Sequence, residues 1–326
     1  QRAARPPRDA AARGPIVVTT VGVTGAGGPA GVAVLRALAA AHHTTVGVDA
    51  DPTAVGLHLA DTAALVPPAD DPTFADALLE VVDRTHPRVL ISTVAEEMTT
   101  LDDLLPELAA HGASTWLPRA DAVAVCLDKW KFFTLLHDAG VPTADTALGD
   151  ATGVAGPWVV KPRFGRGSRD VSLVDDPQNL PAICRQTPEP IVQTRLTGRE
   201  FTADVLVDRD GHVAACVPRW RDETKAGIST KGETFADAGV DAVVADTVAV
   251  IGLDGVCNLQ GFVDGDVTVV EVNPRFSGGL PLTLAAGADL VGEYVRGALG
   301  APLNLDRLSY CTGVRMARYL TQIIEV

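Results

Sequence analysis

The stretch "NLQGFVDGDVTVVEVNP", residues 258–274, reads as two β-strands joined at Asp264-Gly265. Asp-Gly is a favoured pair for a two-residue primed turn. With that turn, Val263 opposes Asp266 and Gln260 opposes Val269. Residues paired across strands share a sheet face, as do residues two apart on one strand. Gln260, Glu271 and Asn273 then project from the same face, whereas a three-residue loop without a bulge would turn Gln260 away. Three oxygen-bearing side chains on one face suit a hard cation such as Mg²⁺. Arg275 follows at once and suits a phosphoryl group. Read alone, the stretch fits equally well a polar outer strand face ending in an Asn-Pro loop.

A second stretch, "WVVKPRFGRGSRDVSLV" (158–174), adds weight to the metal reading. Lys161 closes a strand, and Gly165, Arg166, Gly167 and Ser168 form a flexible loop before the next one. Backbone N–H groups of such a loop can fold over phosphates while a strand-end lysine adds a point charge. Lys161, Arg163, Arg166 and Arg169 fall within nine residues of a chain whose formal net charge is -14. A plain hairpin turn leaves that basic cluster unexplained. No G-x-x-x-x-G-K-[ST] occurs, which excludes a P-loop.

A third stretch points elsewhere. "VTGAGGPAG" (23–31) places Gly25, Gly27 and Ala30 at the spacing of a dinucleotide-binding loop, and Asp49 ends the next strand where a ribose-binding acid would sit. Around it, β-like runs (16–23, 44–49, 63–66, 88–94, 114–117) alternate with helical ones (29–41, 72–85, 96–111), implying a parallel sheet. After Pro118 the order changes to two helices (120–127, 129–139), then strand after strand, the pattern of an antiparallel α+β region. The expected divisions are a disordered tail 1–14, a Rossmann-like domain 15–118, a small lid subdomain 119–196 and a C-terminal subdomain 197–326.

Bulk properties narrow the classes. The negative charge disfavours nucleic acid and anionic membranes, and no stretch approaches the roughly 18 apolar residues of a membrane helix. Five widely spaced cysteines without C-x-x-C read as free thiols and a reducing, cytoplasmic setting. The histidines lack zinc spacing.

Taken in order, "LDKWKFFTLLHDAGVPTADT", "VVKPRFGRGSRDV", "TGREFTADVLVD" and "CNLQGFV…VVEVNPRFSGG" resemble the ATP-grasp ligases, most of all the branch of carbamoyl phosphate synthetase and related carboxylate–amine ligases. The likeness runs from about Ile16 to the end. It implies an α/β fold with a Rossmann-like domain followed by a two-part ATP-grasp module. By resemblance, Lys129 and Lys161 contact ATP phosphates, residues 165–168 close over them, and Glu200 holds the ribose. Gln193, Thr194, Arg195 and Leu196 form the adenine hinge. Gln260, Glu271 and Asn273 bind Mg²⁺, with Glu271 bridging two ions (Mn²⁺ as a substitute), and Arg275 with Lys161 stabilises the transferred phosphoryl group. The sequence departs from the pattern at Thr194, where many relatives carry Glu, and at Ser229, where bicarbonate-using synthetases carry His. That favours a larger organic acid, with Arg219, Arg221, Ser229, Lys231, Ser277, Gly278 and Gly279 as its candidate contacts.

The implied activity is ADP-forming ligation of a small carboxylic acid, activated as an acyl phosphate, to an amine or another nucleophile. A homodimer is the assembly the family suggests. The competing reading is an NAD(P)-dependent oxidoreductase built on the N-terminal loop. A nucleotide-binding protein without catalysis would be expected to lack one of Glu271, Asn273 or Arg275.

Overall fold

The computed structural model describes residues 18–165, 167 and 169–324, so the expected tail 1–14 and the loop residues Arg166 and Ser168 lie outside the described residues. The N-terminal part runs β1 (Thr20–Thr24), α1 (Pro29–Ala40), β2 (Thr44–Asp49), α2 (Val55–Leu59), β3 (Thr62–Leu65), α3 (Phe74–Thr85) and β4 (Val89–Ser92), then α4 (Met98–Asp103) and α5 (Leu105–Ala110). Its four strands are parallel in the order β3-β2-β1-β4. The chain therefore reverses direction across the sheet between β1 and β4, where α/β sheets open a crevice at the strand C-termini.

Two local expectations change here. Residues 96–111 divide into a 3-10 turn and two short helices, because Pro106 starts a new helix at its first turn. Residues 114–117 make only a single bridge, Ser114 to Val89. Trp116 is instead an anchor: its backbone N–H donates to the Tyr294 hydroxyl (3.1 Å), that hydroxyl donates to Trp116 O (2.9 Å), and its indole N–H donates to Asp254 (3.0 Å). A Cβ on Gly297 would lie 2.1 Å from the Trp116 ring, so glycine is what admits it.

Next come α6 (Ala120–Leu127) and α7 (Lys129–Asp138), followed by a small antiparallel sheet of β5 (Thr146–Leu148), β6 (Trp158–Pro162), β7 (Ser172–Val174) and β8 (Pro190–Thr194), with α8 (Leu180–Gln186) packed on it. The C-terminal part contains β9 (Arg199–Val207), β10 (Val213–Trp220), β11 (Glu223–Lys225), β12 (Ile228–Glu233), α9 (Ala238–Ile251), β13 (Gly255–Asp264) and β14 (Asp266–Asn273). It ends with α10 (Leu280–Ala285), α11 (Leu290–Ala298) and β15 (Arg315–Ala317). Its main sheet has the order β10-β9-β13-β14, and a smaller one the order β11-β12-β15.

The core explains how these parts join. One apolar cluster runs from Val21, Leu35 and Ile91 through Trp116 to Val217, Val256, Phe276 and Tyr294, so the N-terminal domain and the C-terminal sheet share a continuous core. A second places Cys126, Phe132 and Leu136 of α6 and α7 against Val205, Leu259, Val269 and Val244. These two helices thus pack on the C-terminal sheet, while the small sheet has its own minor core around Val160, Val174 and Val192. All five cysteines are free thiols, and Cys311 is exposed. No helix among the described residues is long and apolar enough to cross a membrane.

Candidate active site

The hairpin β13–β14 faces Gln260 directly toward Glu271, by a route that differs from the expected one. Asp264 pairs with Asp266 around Gly265 (φ 76°), so Val263 opposes Val267 and the pairing is shifted by one residue from a two-residue turn. Val270 is then an extra residue on β14. This bulge shifts the pairing by a second residue, so Gln260 pairs with Glu271 instead of the expected Val269 and Asn258 with Asn273, with Gln260, Glu271 and Asn273 still on one face. The Asn273 amide donates to Glu271 (2.8 Å), and Arg275 donates to the Asn273 carbonyl oxygen (3.1 Å). Glu271, Asn273 and Arg275 line a cleft of about 180 Å³ with Lys129, Phe164, Gly165 and, from the N-terminal domain, Ala95 and Glu96.

The two lysines converge on Glu271. Lys161 is buried at the end of β6, and burial drives its pKa down to about 8; Glu271 pulls it back up and Lys129 pushes it further down. Lys129 is lowered too, again by burial, against the attraction of Glu271 and Asp128. Its ammonium donates to Gly165 O (2.9 Å) in the expected phosphate loop. Asp128 sets this geometry: its side chain caps α7 by accepting from Trp130 N and Lys131 N, and also accepts two bonds from Arg163 (2.7 and 2.6 Å). Arg163 is thereby used to tie the loop to α7. Gly165 (φ 117°) and Gly167 (φ 68°) both sit in backbone conformations that favour glycine.

The remaining expected contacts divide sharply. Arg221 links Glu200 (2.5 Å) to the Gln260 carbonyl oxygen (2.6 Å), so the ribose and metal candidates share a cation assigned to the substrate. Arg219 lies in the core, away from the cleft lining: its guanidinium is 1% exposed and bonded to Asp204 (2.8 Å) and Ser277 (3.0 Å). Thr283 and Asn258 complete this buried network on Asp204. Ser277 and Gly279 serve it as well, since a Cβ on Gly279 would lie 1.8 Å from Arg219. Lys231 is an exposed ion-pair partner of Glu223 (2.7 Å), away from the cleft. Ser229 is buried, with its carbonyl accepting from Arg318 (3.1 Å), and Gly278 packs near Pro29.

In the hinge, Gln193 donates to Thr146 (2.9 Å), Thr194 donates to Ala155 O (3.0 Å), and Arg195 pairs with Asp175 (2.6 Å). Leu196 follows in the link to β9. These side chains are committed to neighbouring groups, and the backbone N–H groups of Thr194 and Arg195 donate to Asp145 O (2.9 Å) and Pro157 O (2.8 Å).

The glycine loop closes on itself. Asp49 accepts from Gly27 N (2.7 Å) instead of standing free for a ribose. A Cβ on Gly27 would lie 2.6 Å from Ala54, so glycine is what lets this loop pack against the start of α2. Gly31 allows α1 to approach Gly25 O, where a Cβ would lie at 2.2 Å. The loop is a packing device, and the oxidoreductase reading falls with it.

Two acids at the crevice escaped the sequence reading. Glu96 lines the cleft. Glu97 is buried between Thr24 and Ser92, whose hydroxyls donate to it, and burial raises its pKa to about 7. Their one sequence signal was an acid pair just beyond a strand of the parallel sheet. The donor set of the cleft fits a polyphosphate with a hard cation: side-chain oxygens of Glu271 and Asn273 stand beside two ammonium groups whose depressed pKa values mark charge that burial leaves poorly compensated.

Comparison with known proteins finds matches along both parts of the chain. Residues 186–321 match the family described as "ATP-grasp in the biosynthetic pathway with Ter operon", and residues 24–115 match "PylC-like, N-terminal domain". The carbamoyl phosphate synthase large chain of Thermomicrobium roseum is 27% identical over 233 residues, 63% of this chain and 21% of that one. The match thus spans about a fifth of that relative's length. Biotin carboxylase from Campylobacter jejuni, crystallised as a β,γ-ATP complex, superposes with a TM-score of 0.71 at 16% identity, covering 90% of this chain and 74% of that one. L-amino acid ligase from Bacillus licheniformis gives 0.68 at 15% identity, covering 86% and 74%. At these identities the superpositions speak for the fold, and each family match covers one part of the chain: residues 186–321 are similar to ATP-grasp proteins and residues 24–115 to a PylC-like N-terminal domain.

Proposed function

We propose that the protein is an ATP-dependent, ADP-forming ligase that activates a small carboxylic acid as an acyl phosphate and couples it to an amine or similar nucleophile. The observation that carries this reading is the convergence of Lys129, Glu271, Asn273 and Arg275 on one cleft, with the buried Lys161 within electrostatic reach of Glu271. A carboxylate is a poor electrophile. Its oxygen attacks the γ-phosphorus, ADP leaves, and an amine nitrogen then attacks the acyl carbon, expelling phosphate and losing a proton.

The chain's residues supply positioning and charge. Lys129 and Lys161 hold the phosphates, and the loop from Gly165 covers them. Arg275 meets charge building on the transferred phosphoryl oxygens. Glu271 and Asn273, with Gln260 once released by Arg221, would hold Mg²⁺, which supplies charge neutralisation on the phosphates. Two ions bridged by Glu271, replaceable by Mn²⁺, belong to the same reading, as do a homodimer and a cytoplasmic location.

The test is ADP release with Mg-ATP across a panel of amino acids and other small acids, with hydroxylamine present to trap an acyl phosphate as a hydroxamate. The reading expects acid-dependent ADP and hydroxamate in equal amounts. ADP without hydroxamate for every acid, or no ADP from a protein that binds Mg-ATP, would defeat it.

A further inference from the structure

A cavity of about 770 Å³ lies apart from the nucleotide cleft. It lies between α1 and α10, across the seam of the N-terminal domain and the C-terminal part. Ala33, Ala37 and Ala40 form one wall, and Pro281, Leu284 and Ala285 the other. The alanines recur at helical spacing on one face of α1, so their small side chains are what keep this space open. Its size falls within the range of small-molecule sites, roughly 300–1,000 Å³.

The walls are apolar, but the ends are cationic. Arg307, at one end, is neutralised by Asp289 and Glu293. Arg318 is not. This partly buried guanidinium donates to the carbonyls of Ser229 (3.1 Å) and Gly278, and among the described residues no carboxylate pairs with it. Burial, then the charge of Arg219, lowers its pKa, as expected of a cation held without a counter-charge. Arg36 adds an exposed cation on the same cavity. Gly278 lies three residues beyond Arg275 on one loop, so Arg318 joins this cavity to the phosphoryl-transfer site.

Resting on the ligase reading above, we infer that this cavity receives the acid substrate, a small organic acid with an apolar body lying between α1 and α10 and its carboxylate on Arg318. A strongly polar acid would leave the alanine walls wet. A purely apolar molecule would leave the guanidinium unpaired.

The experiment is calorimetric titration of the full chain with butanoate, hexanoate, octanoate and decanoate, with and without Mg-ADP, and with 1-octanol as the uncharged control. The expected result is a dissociation constant that falls about three- to four-fold for each methylene buried, with 1-octanol binding at least about ten-fold more weakly than octanoate. Ala37→Trp, which fills the cavity, and Arg318→Gln, which removes its charge, should each weaken octanoate at least about ten-fold and leave Mg-ADP affinity unchanged. Should Ala37→Trp not fold, Ala40→Trp at an exposed position on the same wall carries the same expectation. Affinity independent of chain length, or octanoate binding untouched by both variants, overturns the inference. So does a change of sedimentation with Ala37→Trp in a protein that binds no acid, which would make the cavity a contact between copies of this chain. Acid binding without any Mg-ADP binding would instead defeat the ligase reading and leave this cavity an organic-acid site. Mg-ADP binding without acid binding in either state does the reverse.

Discussion

Arg163 holds both carboxylate oxygens of Asp128, at 2.7 and 2.6 Å, across the join between the small sheet and α7. The same carboxylate caps α7, so one side chain sets the helix start, the strand end and the placement of Lys129 between them. Burial pushes the Asp128 pKa up, but Arg163 and the two backbone N–H groups outweigh it and leave it below the ordinary value. Asp128→Ala should cost about 3 kcal/mol, since it leaves a guanidinium without its partner and removes a cap. The urea midpoint should drop without a change in slope, and the KM for ATP should rise.

Under the proposed function, Lys161 should make nucleotide binding pH-dependent. Its pKa of about 8 in the fold lies below the ordinary 10.5. Between those values the unfolded chain holds more protons, so the nucleotide-free protein gains stability as pH rises, by up to about 3 kcal/mol. Mg-ADP affinity should move oppositely, weakening as pH climbs through 8 and the ammonium is lost. Lys161→Met should flatten both profiles; calorimetry and thermal melting from pH 7 to 10 check the two signs.

Glu97 should show the reverse slope. Its pKa rises from 4.5 to about 7, so the folded state binds more protons across that window and stability falls as pH increases through it. Glu97→Gln keeps an oxygen for Thr24 and Ser92 while removing the buried charge. It should be more stable than the parent at pH 8, by up to about 3 kcal/mol, and equal to it near pH 4. Melting curves at the two pH values decide.

Gly279→Ala should unfold more than a surface change would. Its Cβ would meet the Arg219 guanidinium at 1.8 Å, and that group is pinned by Asp204 and Ser277. A loss of about 3 kcal/mol or more is expected, read from denaturant unfolding. A loss below about 0.5 kcal/mol would show that Arg219 can move aside.

Glu271→Gln should leave the fold intact, because the side chain lies at a cleft and its partner Asn273 can still bond an amide oxygen. Under the proposed mechanism ADP release should drop by about two orders of magnitude, with circular dichroism unchanged. Turnover at the parental rate would remove Glu271 from the metal site.

Local chemistry in the chain was enough for the elements that depend on neighbours in sequence: most of the alternating strands and helices before Pro118, the glycine turn before α1, and the joining of β13 to β14 in one hairpin. Residue types also pointed to the hairpin face, because Gln260, Glu271 and Asn273 lie on one hairpin with Arg275 just beyond it and strand geometry has a period of two. The rest turned on contacts between residues far apart. A bulge at Val270, invisible in the pattern, offset a shifted turn: Gln260 stands opposite Glu271 instead of the expected Val269, yet on the same face as Glu271 and Asn273. Arg219 looked like a substrate cation until Asp204, 15 residues away, was found to hold it in the core. Asp49 looked like a ribose ligand until the Gly27 N–H took it. Charge and hydrogen-bonding capacity are legible in a side chain, but whether they are already spent depends on which distant group the fold delivers. For this protein the sequence determined what could bind, and the tertiary structure decided which groups were left to do so.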